Sequence, residues 1–223
     1  MKVTIFGLNY SPEVTGNAPY TTRLAEYLAT SWKVGVITTL PHYPAWQVLK
    51  GWTKSEEEDA SKYLTVSRLN PLLLGRGGYL SRILLEAHHG IKVALQSRAT
   101  SGIRLLVSPA LLSSWIISKW GFTSIGSPLV VWVQDLYWVG SRELGGGGWL
   151  ARVASRALKY IEADLFKRAD KIVVIHENFK ESISREMGIS SEKIEVIRNW
   201  SQFKFRVEAA SSDDREKLGW KNR

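Results

Sequence analysis

Four places in this chain carry residue types that do chemistry at a loop or a join. The first is Asn9-Tyr10-Ser11-Pro12-Glu13-Val14-Thr15-Gly16-Asn17. A short β-rich run, Val3 to Phe6, precedes it, and Tyr20, Leu24, Tyr27 and Leu28 follow at helical spacing. Strand, glycine-bearing loop and helix N-terminus in succession offer backbone N–H groups and a positive dipole end to an anion. Gly16, having no Cβ, lets those groups approach a phosphate closely, while Asn17 is a preferred N-cap and Pro19 suits the first helical turn. Many strand-to-helix turns of this kind bind nothing. The second place is Gln134-Asp135-Leu136-Tyr137 at the end of an apolar run, where a carboxylate serves either as a site residue or as a structural cap. The third is the two-proline loop Leu40 to Trp46, whose His42 is a candidate proton carrier or hydrogen-bond donor, or plain surface. The fourth is His176-Glu177, again at a strand end.

The usual nucleotide fingerprints are absent. No Gly-x-Gly-x-x-Gly follows the first strand, no Gly-Lys-Ser/Thr occurs, and the second strand ends Thr38-Thr39-Leu40 without an acid for a ribose. A dinucleotide oxidoreductase is thereby disfavoured, and nicotinamide binding is the observation that would restore it.

The elements that must position these residues alternate in type. Val34 to Thr38, Leu64 to Leu69, Ile103 to Val107, Leu129 to Val133, Ile172 to Ile175 and Ile194 to Ile197 read as further strands. Helices are expected at Leu111 to Trp120 and along two apolar stripes. One stripe is Leu80, Ile83, Leu84, Ala87, Ile91, Ala94 and Leu95, with Arg82, His89, Lys92 and Gln96 largely elsewhere around it; the other is Leu150, Val153, Ala154, Ala157, Leu158, Ile161 and Leu165. Lys54 to Lys62 reads as a charged, solvated insertion, and the glycines 145–148 as a flexible loop. Alternating strands and helices without tight hairpin signals predict an α/β, Rossmann-like, doubly wound parallel sheet. Ligands of such sheets bind outside the carboxyl ends of the strands, where both Gly16 and Asp135 fall.

The 223 residues have no Cys, which excludes disulfides and thiolate chemistry. No signal peptide and no stretch long enough to span a bilayer is evident, so the expected location is cytoplasmic. A net charge of +9 favours acidic partners, but no nucleic-acid motif accompanies it. Ten Trp residues, several beside Lys, and the set Arg76, Arg82, Lys92 and Arg98 point instead to an anionic membrane surface. Each Trp taken singly is better accounted for by filling or covering the core.

The opening Lys2 to Tyr10 with Ser11-Pro12-Glu13-x-x-Gly16 resembles the N-terminal domain of family 4 glycosyltransferases, in particular the colanic-acid and exopolysaccharide branch. Downstream, Ala169-Asp170-Lys171-Ile172 resembles a strand entry of that family, although His176 stands where a serine is usual. Gln134-Asp135-Leu136-Tyr137 matches a phrase at the cleft, with Trp138-Val139 in place of Pro-Glu. Arg198-Asn199-Trp200 resembles the Pro-Asn-Trp of the interdomain crossover, and residues 214–220 resemble the approach to a second domain. The likeness covers nearly the whole chain but half of a usual member. The other half, with the nucleotide-sugar contacts and a glutamate pair seven residues apart, is not supplied.

This resemblance implies the N-terminal half of a GT-B fold, with residues 1–200 as the domain, 201–223 as a linker and the donor domain missing. It implies a retaining glycosyltransferase, inactive as this chain alone. Sugar would pass from a nucleotide diphosphate sugar to a lipid-linked or saccharide acceptor in surface polysaccharide synthesis, without metal or resident cofactor. The implied roles are Asp135 as catalytic residue, Gly16 and Asn17 as donor-phosphate loop, His42, Tyr43 and Tyr10 on the acceptor side, His176 and Glu177 as candidate cleft residues, and Asn199 and Trp200 as hinge. Expected partners are the two substrates, the inner face of the cell membrane and a separately encoded C-terminal half. A non-catalytic membrane-docking or acceptor-binding subunit of a two-chain enzyme is the alternative.

Overall fold

The computed structural model describes residues 1–52, 57–75, 78–96, 102–121, 126–144 and 149–200. Eight strands run in chain order: β1 (Lys2–Phe6), β2 (Lys33–Thr39), β3 (Glu57–Ser61), β4 (Leu64–Leu69), β5 (Ile103–Val107), β6 (Leu129–Val133), β7 (Lys171–Val174) and β8 (Ile194–Val196). They form one sheet in the order β3-β4-β2-β1-β5-β6-β7-β8, parallel throughout except at β3. The strand order reverses between β1 and β5. A crevice therefore opens outside their carboxyl ends, where the loops on either side diverge.

Period-two alternation sends successive side chains to opposite cores. From β1, Val3 and Ile5 join Val34, Val36, Val107 and Trp132 beneath α1 (Ala18–Leu28). Phe6, with Leu106, Val131 and Val133, faces the other layer. That layer consists of α2 (Tyr79–Gln96), α3 (Leu111–Trp120), α4 (Tyr137–Leu144), α5 (Trp149–Arg168) and α6 (Glu177–Met187), with α2 packed on α3 and α5 on both α3 and α4. Gly90 permits the α2–α3 approach: a Cβ there would lie 3.0 Å from the Ser113 Cα.

Several expectations need correction. The charged stretch expected as an irregular insertion forms, at Glu57–Ser61, an antiparallel edge strand, hairpinned onto β4 through Lys62 and Tyr63. An edge strand pairs on one side only, so charged composition does not forbid it. Helices α4 and α6 were not read at all.

The face of α2 is also not the one expected. Leu80, Ile83, Ile91 and Leu95 are 50–69% exposed, while Leu85, Glu86, His89, Gly90, Val93 and Ala94 are buried. Polar burial is tolerated here because partners exist elsewhere in the chain. Glu86 accepts the Leu112 N–H at 2.9 Å, and His89 Nδ1 lies 2.7 Å from Ser113 Oγ. Burial, with His88 and His42 nearby, pushes the His89 pKa down to about 3, so the ring is held neutral. On α5, Val153, Ala154 and Ala157 of the apolar stripe are exposed, Leu158 and Ile161 pack partly buried against the core, and full burial is reached at Glu162, Leu165 and Phe166. Arg76, Arg98, the glycines 145–148 and residues 201–223 lie outside the described residues.

Candidate functional site

A cleft of about 410 Å³ opens at the carboxyl end of the sheet. On one side it is lined by Asn9, Gly16, Asn17 and Tyr20 from the β1–α1 join. Opposite stand Gln134 and Asp135 after β6, and Arg82 from the first turns of α2. His42, Tyr43 and Trp46 close it from the loop after β2, and Asn199 from the chain after β8. Gly16, Asn17, His42, Tyr43, Asp135 and Asn199, picked out from four separate stretches of sequence by type and resemblance, thus meet around one cavity.

Gly16 adopts φ +62°, a left-handed conformation that costs an ordinary residue about 1 kcal/mol or more. A Cβ there would also touch the Tyr43 ring at 3.7 Å. Asn17 occupies the N-cap position but makes no side-chain cap; its carbonyl accepts the Thr21 N–H at 2.9 Å, and its residue faces the cleft. The α1 N-terminus is therefore left without a side-chain cap of its own.

Three buried glutamates hold the surrounding loops, and none was singled out from the sequence as a site residue. Glu13 Oε1 accepts the backbone N–H groups of His42 and Tyr43, each at 2.7 Å, while Oε2 accepts Asn9 Nδ2 at 2.8 Å. Glu86 accepts from Arg82 Nε at 3.1 Å and from the Tyr137 hydroxyl at 3.0 Å. Glu162, 1% exposed, takes the Tyr137 and Trp138 N–H groups at 2.8 and 3.1 Å, supplying from α5 the cap that α4 lacks locally. The Ser-Pro-Glu phrase was a signal for Glu13; nothing local signalled the other two.

Asp135 precedes the α4 N-terminus and is exposed to the cleft. Partial burial raises its carboxyl above the ordinary range, and the Arg82 charge opposes that shift. Arg82 donates to the Tyr137 hydroxyl at 2.7 Å and lies over its ring. Burial raises the Tyr137 phenol well above its usual value, reinforced by the Glu86 charge. Arg82, named among the expected lipid-facing cations, lines the cleft, where Glu86 and Tyr137 hold it.

Gln134 and Asn199 form a reciprocal amide pair at 2.8 and 3.4 Å. Trp200 stacks on Trp132 with centroids 5.9 Å apart and meets Tyr20 edge-on. Trp46 was missed as well. It holds a positive φ of 55° and makes T-shaped ring contacts with both His42 and Tyr43. Backbone strain of this kind concentrates at functional sites.

Two expectations fall elsewhere. Tyr10 is 4% exposed, packs in the core under α1 and borders a separate cavity with Ser11, Thr22, Trp52 and Arg68. Period-two alternation does not extend into that loop, so the sequence could not show which way Tyr10 turns. His176 is the N-cap of α6, its Nδ1 accepting the Asn178 N–H at 3.1 Å, and Glu177 is exposed in the first turn. Neither lines the cleft.

A parallel sheet wound in both directions from β1, with its cleft at the switch point, is the Rossmann-like architecture of one half of a GT-B glycosyltransferase. A solved structure shares it: sucrose-phosphate synthase from Thermosynechococcus elongatus aligns with TM-score 0.58 and 12% identity over 90% of each chain. Residues 15–200 match the glycosyl transferase 4-like domain, and the chain belongs to that family. It is also 28% identical, over 215 residues, to the putative colanic acid biosynthesis glycosyl transferase WcaI of Escherichia coli K12. That alignment takes in 91% of this chain and 51% of WcaI, so the chain spans about half the length of its curated relative.

Proposed function

We propose that the chain provides the acceptor-side half of a retaining glycosyltransferase that moves a sugar from a nucleotide diphosphate sugar to a lipid-linked or saccharide acceptor during surface polysaccharide synthesis. The observation that carries this reading is the single cleft shared by the Gly16 join and Asp135. The uncapped α1 N-terminus and the Gly16 backbone are suited to the negative charge that develops on a leaving diphosphate. Asp135 is suited to engage the acceptor hydroxyl. The leaving group needs no metal where backbone N–H groups and a helix dipole neutralise it, and this reading uses none.

The donor's nucleoside would be gripped by a second domain, either in the same polypeptide or in a separately encoded chain. Catalytic positioning needs both halves, so residues 1–223 alone should not turn over. The exposed apolar row of α2, Leu80, Ile83, Ile91 and Leu95 with Tyr79 beside it, supports peripheral attachment to an anionic membrane. The same row favours the second reading, a docking subunit without chemistry of its own. Reconstitution with a C-terminal GT-B half, followed by sugar transfer from radiolabelled nucleotide sugars, separates the two. Transfer that disappears with Asp135→Asn supports the enzyme, and robust transfer by the 223-residue chain alone contradicts the half-site.

A further inference from the structure

His42 is the cleft residue whose chemistry the hydrogen bonds define most closely. The residue is 2% exposed, and Nδ1 lies 3.0 Å from the Leu40 carbonyl oxygen and 3.1 Å from Thr39 Oγ1. A carbonyl oxygen can only accept. The Thr39 hydroxyl has one hydrogen, which goes to the Leu8 carbonyl at 2.8 Å, so toward the histidine it too can only accept. Both neighbours therefore require the proton on Nδ1, and the hydrogen bond at one ring nitrogen decides the tautomer at the other. In the neutral ring Nε2 is left with a lone pair. Among the described residues Nε2 makes no hydrogen bond to protein, and it is not sealed from solvent, since His42 lines the cleft.

The ring cannot easily turn over to present its other edge. Glu13 Oε1 pins the His42 and Tyr43 backbone N–H groups at 2.7 Å each and stands 3.7 Å from Nδ1, while Trp46 packs edge-on against the imidazole. Nothing in this arrangement supplies Nε2 with a donor from the protein, so the lone pair is open to solvent or to a ligand that displaces it.

We propose that His42 Nε2 is a specificity-determining contact of the cleft, accepting a hydrogen bond from a hydroxyl of the acceptor saccharide, with Glu13 as the positioning carboxylate. This rests on the transferase reading and adds to it the chemistry of one subsite. A phosphate or carboxylate oxygen would bring lone pair against lone pair at Nε2, so the anionic part of the substrates belongs elsewhere in the cleft. A hydroxyl is the matching group, and the aromatic side chains of Trp46 and Tyr43, which line the cleft beside it, are of a kind that packs on the C–H surface of a sugar ring. His42 and Asp135 do not compete for the same hydroxyl. They follow β2 and β6, which are separated by β1 and β5, so their loops start about 14 Å apart at roughly 4.8 Å per strand. The two side chains grip opposite ends of what lies between them.

The experiment uses the 223-residue chain labelled with ¹⁵N-histidine. Long-range ¹H–¹⁵N spectra near pH 8 report the tautomer of each of the four histidines, and His42→Asn identifies the His42 signals. Asparagine also keeps a donor near the Nδ1 position while deleting Nε2. The expected result is an Nδ1-protonated His42 whose Nε2 resonance moves when a panel of methyl hexosides is added. His42→Asn should weaken that glycoside binding roughly five- to tenfold, the scale of one neutral hydrogen bond. An Nε2-protonated ring, or no response of His42 to any glycoside, overturns the proposal. A parallel titration with UDP, GDP and TDP, read at the Gly16 and Asn17 amides, tells the two ideas apart. A diphosphate response without a glycoside response removes the His42 subsite and leaves the transferase reading standing; silence in both removes the subsite together with the Gly16 phosphate loop.

Discussion

The Glu162 carboxylate receives the Tyr137 N–H at 2.8 Å, tying the middle of α5 to the segment that begins two residues after Asp135. Burial raises this carboxyl to about 7, against the two backbone hydrogen bonds that favour its charge. The folded chain thus holds a proton on Glu162 that the unfolded chain releases near 4.5. Its stabilisation is complete below about 4.5 and is lost as pH rises through about 7. The difference is on the order of 3 kcal/mol. Urea unfolding near pH 5 and pH 8 should show that loss in the parent chain. Glu162→Gln should remove this part of the pH dependence, and should lower stability near pH 5 by about 1–3 kcal/mol because one N–H then faces an amide donor. Equal pH dependence in both chains would count against the assignment.

Replacing Gly16 by Val tests the join. The left-handed φ and the Tyr43 contact predict a destabilisation of about 1–2 kcal/mol. A larger effect is expected on diphosphate binding, because a branched side chain keeps the ligand from the backbone. Isothermal titration with nucleoside diphosphates, beside a urea midpoint, distinguishes loss of the loop from loss of the fold.

Asp135→Asn should leave the urea midpoint almost unchanged, since the carboxylate is exposed. In the reconstituted two-domain enzyme it should cost on the order of 10²-fold or more in kcat. Arg82 holds the Asp135 pKa down against partial burial. Arg82→Gln should therefore move the acidic limb of the pH–rate profile to higher pH, and an unmoved limb would separate Asp135 from the chemistry.

Ile83→Glu and Ile91→Glu place charges on the exposed row of α2 without entering the core. If this row meets the membrane, co-sedimentation with anionic vesicles should fall several-fold in each variant while thermal unfolding stays put. Binding of the parent chain should weaken as added salt shortens electrostatic reach below about 8 Å. Equal sedimentation with neutral and anionic vesicles would rule out the charge-driven part.

The seven parallel strands were legible because each is a short run rich in β-branched and aliphatic residues; β1, β2, β5 and β6 at the centre of the sheet are largely buried, while β4 alternates and β8 exposes Glu195 at the edge. The join at Gly16 and the acid at Asp135 were legible for a related reason: strand ends can be found in sequence, and a doubly wound sheet puts its parallel strand ends along one edge. Local pattern and the topology rule together were enough to bring those two residues to one cleft.

What the pattern did not contain is which polar groups find partners across the chain. The apolar residues of α2 suggested one buried face, yet the helix turns Glu86 and His89 inward and leaves Leu80, Ile83, Ile91 and Leu95 outside. That choice depends on the Leu112 N–H, the Ser113 hydroxyl and the Tyr137 phenol, which lie 24–51 residues away. In the same way Glu13 and Glu162 cap N–H groups 24–30 residues distant. Hydrophobic periodicity follows from local geometry and is written along the chain. A buried carboxylate becomes affordable only when a remote donor is delivered to it, and that delivery is a property of the folded sheet and its helices.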